Sequence, residues 1–184
     1  MSMINNAWQR LKRRTVYENP WIKLTHDDVI TPAGTEGIYG VVHFKNQAVG
    51  VLPIDDEGYT WLVGQSRYAL GEYSWEIPEG GVPFGEEPLD GAKRELQEET
   101  GLTAKHWELL MQLHTSNSVC NERAYVYLAR GLSCGSQALE ATEDITLKRV
   151  TLEQAVKMAY LGEITDAISV AALLRIALMM DIKV

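Results

Sequence analysis

Residues 79–102 read EGGVPFGEEPLDGAKRELQEETGL, and this stretch decides the fold. Pro88 suits the first turn of a helix and Gly101 its C-terminal stop, so the punctuation predicts a helix over residues 89–100. On that helix Glu95, Glu98 and Glu99 stand at i, i+3 and i+4 and share one face. Like charges at this spacing destabilise a helix, and only Arg94 and the more distant Lys93 offset them. A bound cation would relieve the repulsion. Hard carboxylate oxygens on a rigid helix, with room for water and substrate phosphates, suit Mg²⁺, with Mn²⁺ as the alternative. Just upstream, Glu79-Gly80-Gly81 offers backbone that can turn tightly and bring its carbonyls close to a metal or ligand.

Outward from this helix the chain is punctuated by turn residues. Three short strands are predicted around Thr15-Tyr17, Trp21-Val29 and Gly37-Phe44, broken at Asn19-Pro20 and Pro32-Ala33-Gly34. Val49-Pro53 and Thr60-Gln65 read as a hairpin across Asp55-Asp56-Glu57-Gly58. Strands follow at Trp107-His114, Arg123-Ala129 and Thr146-Thr151, then a helix at Leu152-Tyr160 and an amphipathic helix from Asp166 to Met180. Strands first and helices later give an α+β class. Residues 1–44 make a small N-terminal β-module, too short to hold a core alone, and residues 45–184 make the main domain.

The bulk properties exclude whole classes. A net charge of -8 over 184 residues leaves no basic footprint for long nucleic acids. An anionic substrate would need positive charge between itself and the protein, which bound divalent metal supplies. Cys120 and Cys134 form no CxxC pair and are read as free thiols in a reducing cytoplasm. Residues 1–14 lack the apolar region of a secretory signal, and the longest apolar run, Ile168–Leu174, is far short of a membrane span. His26, His43, His106 and His114 show no metal-ligand spacing. Met179-Met180 reads as helix packing at the terminus.

An acidic helix alone is ordinarily a solvated face, but the full spacing is not ordinary. Gly80, five residues, Glu86, seven residues and then Arg94-Glu95-Leu96-Gln97-Glu98-Glu99-Thr100-Gly101-Leu102 would arise by chance on the order of 10⁻⁹ per window. The pattern resembles the box of the Nudix hydrolases at every defining position. The resemblance implies an α/β/α sandwich around a mixed sheet. It also implies that Glu95, Glu98 and Glu99 with the carbonyl of Glu79 hold the metal, and that Arg94 holds a glutamate of the cluster in place. Glu86 would support the loop and helix geometry or an outer-shell metal. Clustered metal ions neutralise, align and activate water for attack on a pyrophosphate phosphorus, and a separate carboxylate can take the proton. In the nucleotide-sugar branch that base comes from a late acidic loop, here Glu140-Ala141-Thr142-Glu143-Asp144, so Glu143 and Glu140 are the candidates.

Gln65-Ser66-Arg67-Tyr68 and Trp75-Glu76-Ile77-Pro78-Glu79-Gly80 resemble the ADP-ribose pyrophosphatase and nucleoside diphosphate sugar branch, in which Arg67 and Glu76 would bind substrate. A guanidinium matches phosphate oxygens, and Tyr17 or Trp21 could supply an aromatic platform for the base. ADP-ribose-specific members carry a proline some fifteen residues beyond the box. This chain has Thr115-Ser116-Asn117-Ser118 there and no proline after Pro88, so GDP-mannose and other nucleoside diphosphate sugars stay open beside ADP-ribose. The alternatives are a Nudix hydrolase of oxidised nucleoside triphosphates or dinucleoside polyphosphates, and a non-catalytic nucleotide-sugar sensor. Exposed edges of the N-terminal strands, and the resemblance, lead to the expectation of a homodimer.

Overall fold

Asn19 closes the first turn of the chain: its Oδ1 accepts from the backbone N–H of Trp21 (2.9 Å) and of Ile22 (2.7 Å). This turn joins strands β1 (Gln9–Glu18) and β2 (Ile22–Ile30), and β3 (Glu36–Phe44) completes an antiparallel sheet in the order β1-β2-β3. The computed structural model describes residues 7–139 and 144–183. β1 extends back from the strand predicted around Thr15-Tyr17 through the basic residues Arg10, Lys12, Arg13 and Arg14. The chain divides into two units, one holding the residues up to Asn46 with Ser116–Glu122, the other Gln47–Thr115 with Arg123–Val184. In the first unit Val42 N donates to Val119 O (2.9 Å) and Tyr39 Oη to Ser118 O (2.5 Å), so a distant segment covers the free edge of β3.

The second unit contains β4 (Asn46–Pro53), β5 (Tyr59–Arg67), β6 (Glu72–Glu76), β7 (Glu79–Pro83), α1 (Pro88–Thr100) and β8 (Leu102–Leu113). β9 (Ala124–Cys134), β10 (Thr146–Thr151), α2 (Leu152–Tyr160) and α3 (Ala167–Met180) follow. One sheet runs β10-β5-β6 and the other β7-β4-β9-β8, with β4 and β9 parallel. Alternation along these two central strands sorts the core. Val49, Val51, Tyr127 and Ala129 pack with Ala92 and Leu96 of α1. Leu52, Val126 and Leu128 face the other way and pack with Val156, Leu173 and Ile176 of α2 and α3. Helices on both faces of a mixed sheet give the sandwich expected.

Three expectations need correction. The turn at Asp55–Gly58 exists, with Asp55 N donating to Tyr59 O (3.0 Å), but it closes no hairpin: β4 and β5 enter different sheets. β4 is apolar on both faces, and burial between α1 and the α2–α3 layer puts it in a central position between β7 and β9. Glu79-Gly80-Gly81, expected to turn tightly, instead opens strand β7 (Glu79–Pro83). The final helix is not amphipathic, because Leu174, Leu178, Met179 and Met180 lie exposed opposite its buried Ala172, Leu173 and Ile176. Met179-Met180 therefore packs less than expected. Among the described residues no helix is long and apolar enough to cross a membrane, and both cysteines are free.

Candidate active site

α1 starts at Pro88 and ends at Gly101, whose φ of 70° is left-handed backbone that glycine adopts without strain. Its inner face buries Ala92 and Leu96, and this packing carries Glu95 and Glu99 inward to 6% and 1% exposure. The guanidinium of Arg94 bridges the cluster: Nη1 donates to Glu95 Oε1 (2.7 Å) and Glu98 Oε2 (2.9 Å), and Nη2 to Gly81 O (3.2 Å). Glu86 Oε1 stands 3.8 Å from Arg94 Nε. Gly80 lies directly under Glu95, since a Cβ there would fall within 2.5 Å of Glu95 Oε1. Glu99 Oε2 accepts from Glu79 N (2.9 Å), which ties the start of β7 to the helix.

A second group of charges adjoins the first through Glu79. Arg67, the last residue of β5, donates from Nε to Glu76 Oε1 (2.9 Å) and from Nη2 to Glu76 Oε2 and Glu79 Oε1 (2.8 Å). These bonds, that to Glu76 foremost, raise the guanidinium above its already high ordinary value. Glu79 Oε2 is buried with no hydrogen-bond donor among the described residues. Burial, with Asp166 and Glu76 nearby and Arg67 opposing, holds the Glu79 carboxyl well above the usual carboxylate range. Arg67, Ser74, Glu76, Glu79, Thr165 and Asp166 line a cavity of about 310 Å³. The Asp166 side chain accepts from Ser169 N at the start of α3, and Ser169 Oγ accepts from Ile77 N (2.9 Å). Ile77–Glu79 is thus held from α3 on one side and α1 on the other.

The structure brings Arg94, Glu95 and Glu98 together over Gly80, and Arg67 together with Glu76 and Glu79. Tyr17 and Trp21 flank the β1–β2 turn of the first unit, both exposed. Glu140 and Glu143 lie outside the described residues. Sequence reasoning missed three participants: the side chain of Glu79, Asp166 and Ser169. Asp166 opens an apolar helical run with a residue type that caps helices, a signal that could have found it. Among the described residues no three acidic or histidine side chains converge into a ready metal cage, as Arg94 lies between Glu95 and Glu98.

The residues nonetheless fit a hard divalent cation. Their donors are carboxylate and carbonyl oxygens, and the absent Cβ of Gly80 leaves the Glu95 carboxylate against main chain.

Comparison with known proteins follows the same outline. A family model described as NUDIX domain matches residues 44–171, and one described as Nucleoside diphosphate sugar hydrolase N-terminal domain matches residues 8–42. The chain is 36% identical over 159 residues to an ADP-ribose pyrophosphatase of Bacillus subtilis (strain 168), covering 85% of each. It is 33% identical over 178 residues to an ADP-ribose pyrophosphatase of Mycobacterium tuberculosis (strain ATCC 25618 / H37Rv), covering 95% of this chain and 85% of the other. A methanol dehydrogenase activator of Bacillus methanolicus is 33% identical over 164 residues, 88% of each chain. A solved ADP compounds hydrolase superposes with a TM-score of 0.82 at 22% identity over 95% of this chain and 94% of that one, a likeness of fold. The domain match over most of the chain, on a box whose carboxylates gather on one helix face, makes this protein a member of the Nudix family and a pyrophosphatase by class.

Proposed function

We propose that the chain hydrolyses the pyrophosphate bond of a nucleoside diphosphate sugar, ADP-ribose first among them, to a nucleoside monophosphate and a sugar phosphate. The observation that carries the substrate is the likeness to two ADP-ribose pyrophosphatases over 85% or more of this chain. What supports the chemistry is the joining of the Arg94–Glu95–Glu98 group to the Arg67–Glu76–Glu79 group along Glu79-Gly80-Gly81. Glu95, Glu98, Glu99 and the Glu79 carbonyl would hold Mg²⁺, or Mn²⁺ in its place. When bound, the metal supplies charge neutralisation at the phosphates and a more acidic water. The protein's own residues supply the rest. Arg67 orients a phosphate through its guanidinium, Arg94 keeps Glu95 and Glu98 apart and aligned, and Glu143 or Glu140 accepts the proton. Ala138, two residues before Glu140 in sequence, donates from its backbone N–H to the Glu98 carbonyl (3.0 Å). Residues 1–44 are assigned dimerisation and contacts to the base through Tyr17 and Trp21, and residues 45–184 the chemistry.

A panel of ADP-ribose, GDP-mannose, UDP-glucose and 8-oxo-dGTP, assayed with Mg²⁺ and with Mn²⁺, tests the reading. Highest kcat/KM on ADP-ribose, with AMP and ribose 5-phosphate as products, is the expected result. Highest kcat/KM on GDP-mannose moves the preference within the class, and preference for the triphosphate overturns the class. Loss of turnover in Glu143→Gln, with metal requirement kept, identifies the base; the same loss in Glu140→Gln instead moves it there.

A further inference from the structure

The last turn of α1 carries Glu98 and Glu99 and no basic residue. A helix C-terminus already bears partial negative charge from its free carbonyls, and two carboxylates add to it. The compensation comes from far along the chain. Residues 135–138, immediately after β9, lie along the helix end as a strap of donors. Gly135 N donates to Gly101 O (2.6 Å), Ala138 N to Glu98 O (3.0 Å) and Gln137 Nε2 to Glu99 O (2.5 Å). The carbonyls of the two residues that bear the terminal carboxylates are therefore each held by the strap. Its approach is close: a Cβ on Gly101 would stand 2.9 Å from Gly135 O and 3.0 Å from Gln137 N. Gly101 is thus required twice, by its positive φ and by the strap's proximity.

Two of the three strap donors are backbone amides, which side-chain substitution leaves in place. The third is the side chain of Gln137. We infer that Gln137 is a positioning residue for the reaction, fixing the Glu99 backbone and hence the directions in which Glu98 and Glu99 present their carboxylates. The effect reaches further, because the Glu99 carboxylate accepts from Glu79 N at the start of β7. The inference rests on the reading of these carboxylates as metal holders.

Gln137→Met keeps the length of the side chain and removes the donor, whereas Gln137→Lys keeps an N–H that can reach the same carbonyl. In Gln137→Met, kcat on ADP-ribose falls roughly three- to tenfold, the worth of one net hydrogen bond, and half-saturating Mg²⁺ rises by a similar factor. KM for ADP-ribose stays within about twofold, since no substrate contact is lost. Gln137→Lys restores kcat and the metal requirement. Amide hydrogen exchange across residues 94–101 quickens in Gln137→Met and not in Gln137→Lys, a readout independent of turnover. Wild-type kcat, metal requirement and exchange in Gln137→Met overturn the inference, as does equal impairment in Gln137→Lys. Glu98→Gln, run alongside, keeps the two claims apart. Full turnover there overturns the metal role of the carboxylates and this inference with it, whereas an inactive Glu98→Gln beside an indifferent Gln137→Met overturns the inference alone.

Discussion

Gly80 matters for the atom it lacks, because a Cβ there would displace the Glu95 carboxylate rather than any backbone. Gly80→Ala is therefore expected to keep the thermal midpoint within a few degrees while kcat falls by roughly two orders of magnitude, the scale of an ångström of misplacement. Calorimetry and steady-state rates on one preparation check both halves, and a large drop in midpoint would place the glycine's role in folding instead. Arg67→Ala should do the opposite of isolating one effect. It removes a phosphate contact, raising KM roughly tenfold, and also leaves Glu76, 2% exposed, without its guanidinium. Breaking a buried pair costs about 3–5 kcal/mol, which the 36% exposure of Arg67 reduces to about 1–3 kcal/mol. Glu79→Gln added to Arg67→Ala should recover part of the stability and none of the KM; an unchanged midpoint in Arg67→Ala alone would reduce the residue to a substrate contact. The carboxylate face of α1 was legible because helical period alone aligns Glu95, Glu98 and Glu99. The double engagement of Arg67 was not, since it depends on the β5–β6 pairing and on a turn at Pro78 that no periodicity encodes.

The elements divide by how local their causes are. α1 was legible from its start and stop residues, Pro88 and Gly101; α2, expected over Leu152–Tyr160, is held at its start by a Thr151–Gln154 capping box that the structure reveals. β4 was found but misplaced, because its apolar run says that it is buried on two faces and not which strands flank it. β7 escaped because its glycines suggested a tight turn, whereas Gly80 admits the close approach of Glu95 and Gly81 offers its carbonyl to Arg94. In the first sheet, pairing of Arg13 with Asp27 across β1 and β2 yields a pH signature. Arg13 donates from Nε (2.7 Å) and Nη2 (2.6 Å) to both oxygens of Asp27, which is 4% exposed, and holds its carboxyl below the ordinary 3.8. A depressed folded value means that the unfolded chain takes up the proton first on acidification. The stabilisation is complete above about pH 3.8 and is lost as pH falls through the folded value. Asp27→Asn should lower neutral-pH stability by about 1–2 kcal/mol, after discounting the exposed side of Arg13, and flatten the acid limb below pH 4. Tryptophan fluorescence during acid titration measures it, and an identical acid limb in the variant would remove Asp27 from the account.

At the scale of the whole molecule, composition set expectations without specifying contacts: a charge of -8 gives no basic footprint and says nothing of which residues meet. The recruitment of Ser116–Glu122 to the first unit, nearly eighty residues from Tyr39, was invisible for that reason. It also bears on assembly. One edge of the β1-β2-β3 sheet is covered by this segment, while β1 at the other edge is exposed along its whole length and pairs only with β2 among the described residues. Lys and Arg on an edge strand discourage open-ended pairing, and Arg10, Lys12 and Arg14 serve that purpose here. The expectation of a homodimer rests on apolar side chains of this sheet and its first turn: Leu11, Val16, Tyr17, Trp21 and Ile38 are all more than half exposed in the single chain. A closed twofold dimer would cover these apolar side chains while leaving no edge to propagate. Light scattering at micromolar concentration should therefore give twice the chain's mass, and Val16→Glu with Ile38→Glu should halve it while near-ultraviolet circular dichroism still reports a folded second unit. A wild-type monomer removes the dimer; a dimer that survives both charges moves its interface off this sheet, with the exposed Leu178, Met179 and Met180 of α3 as the next apolar surface to charge.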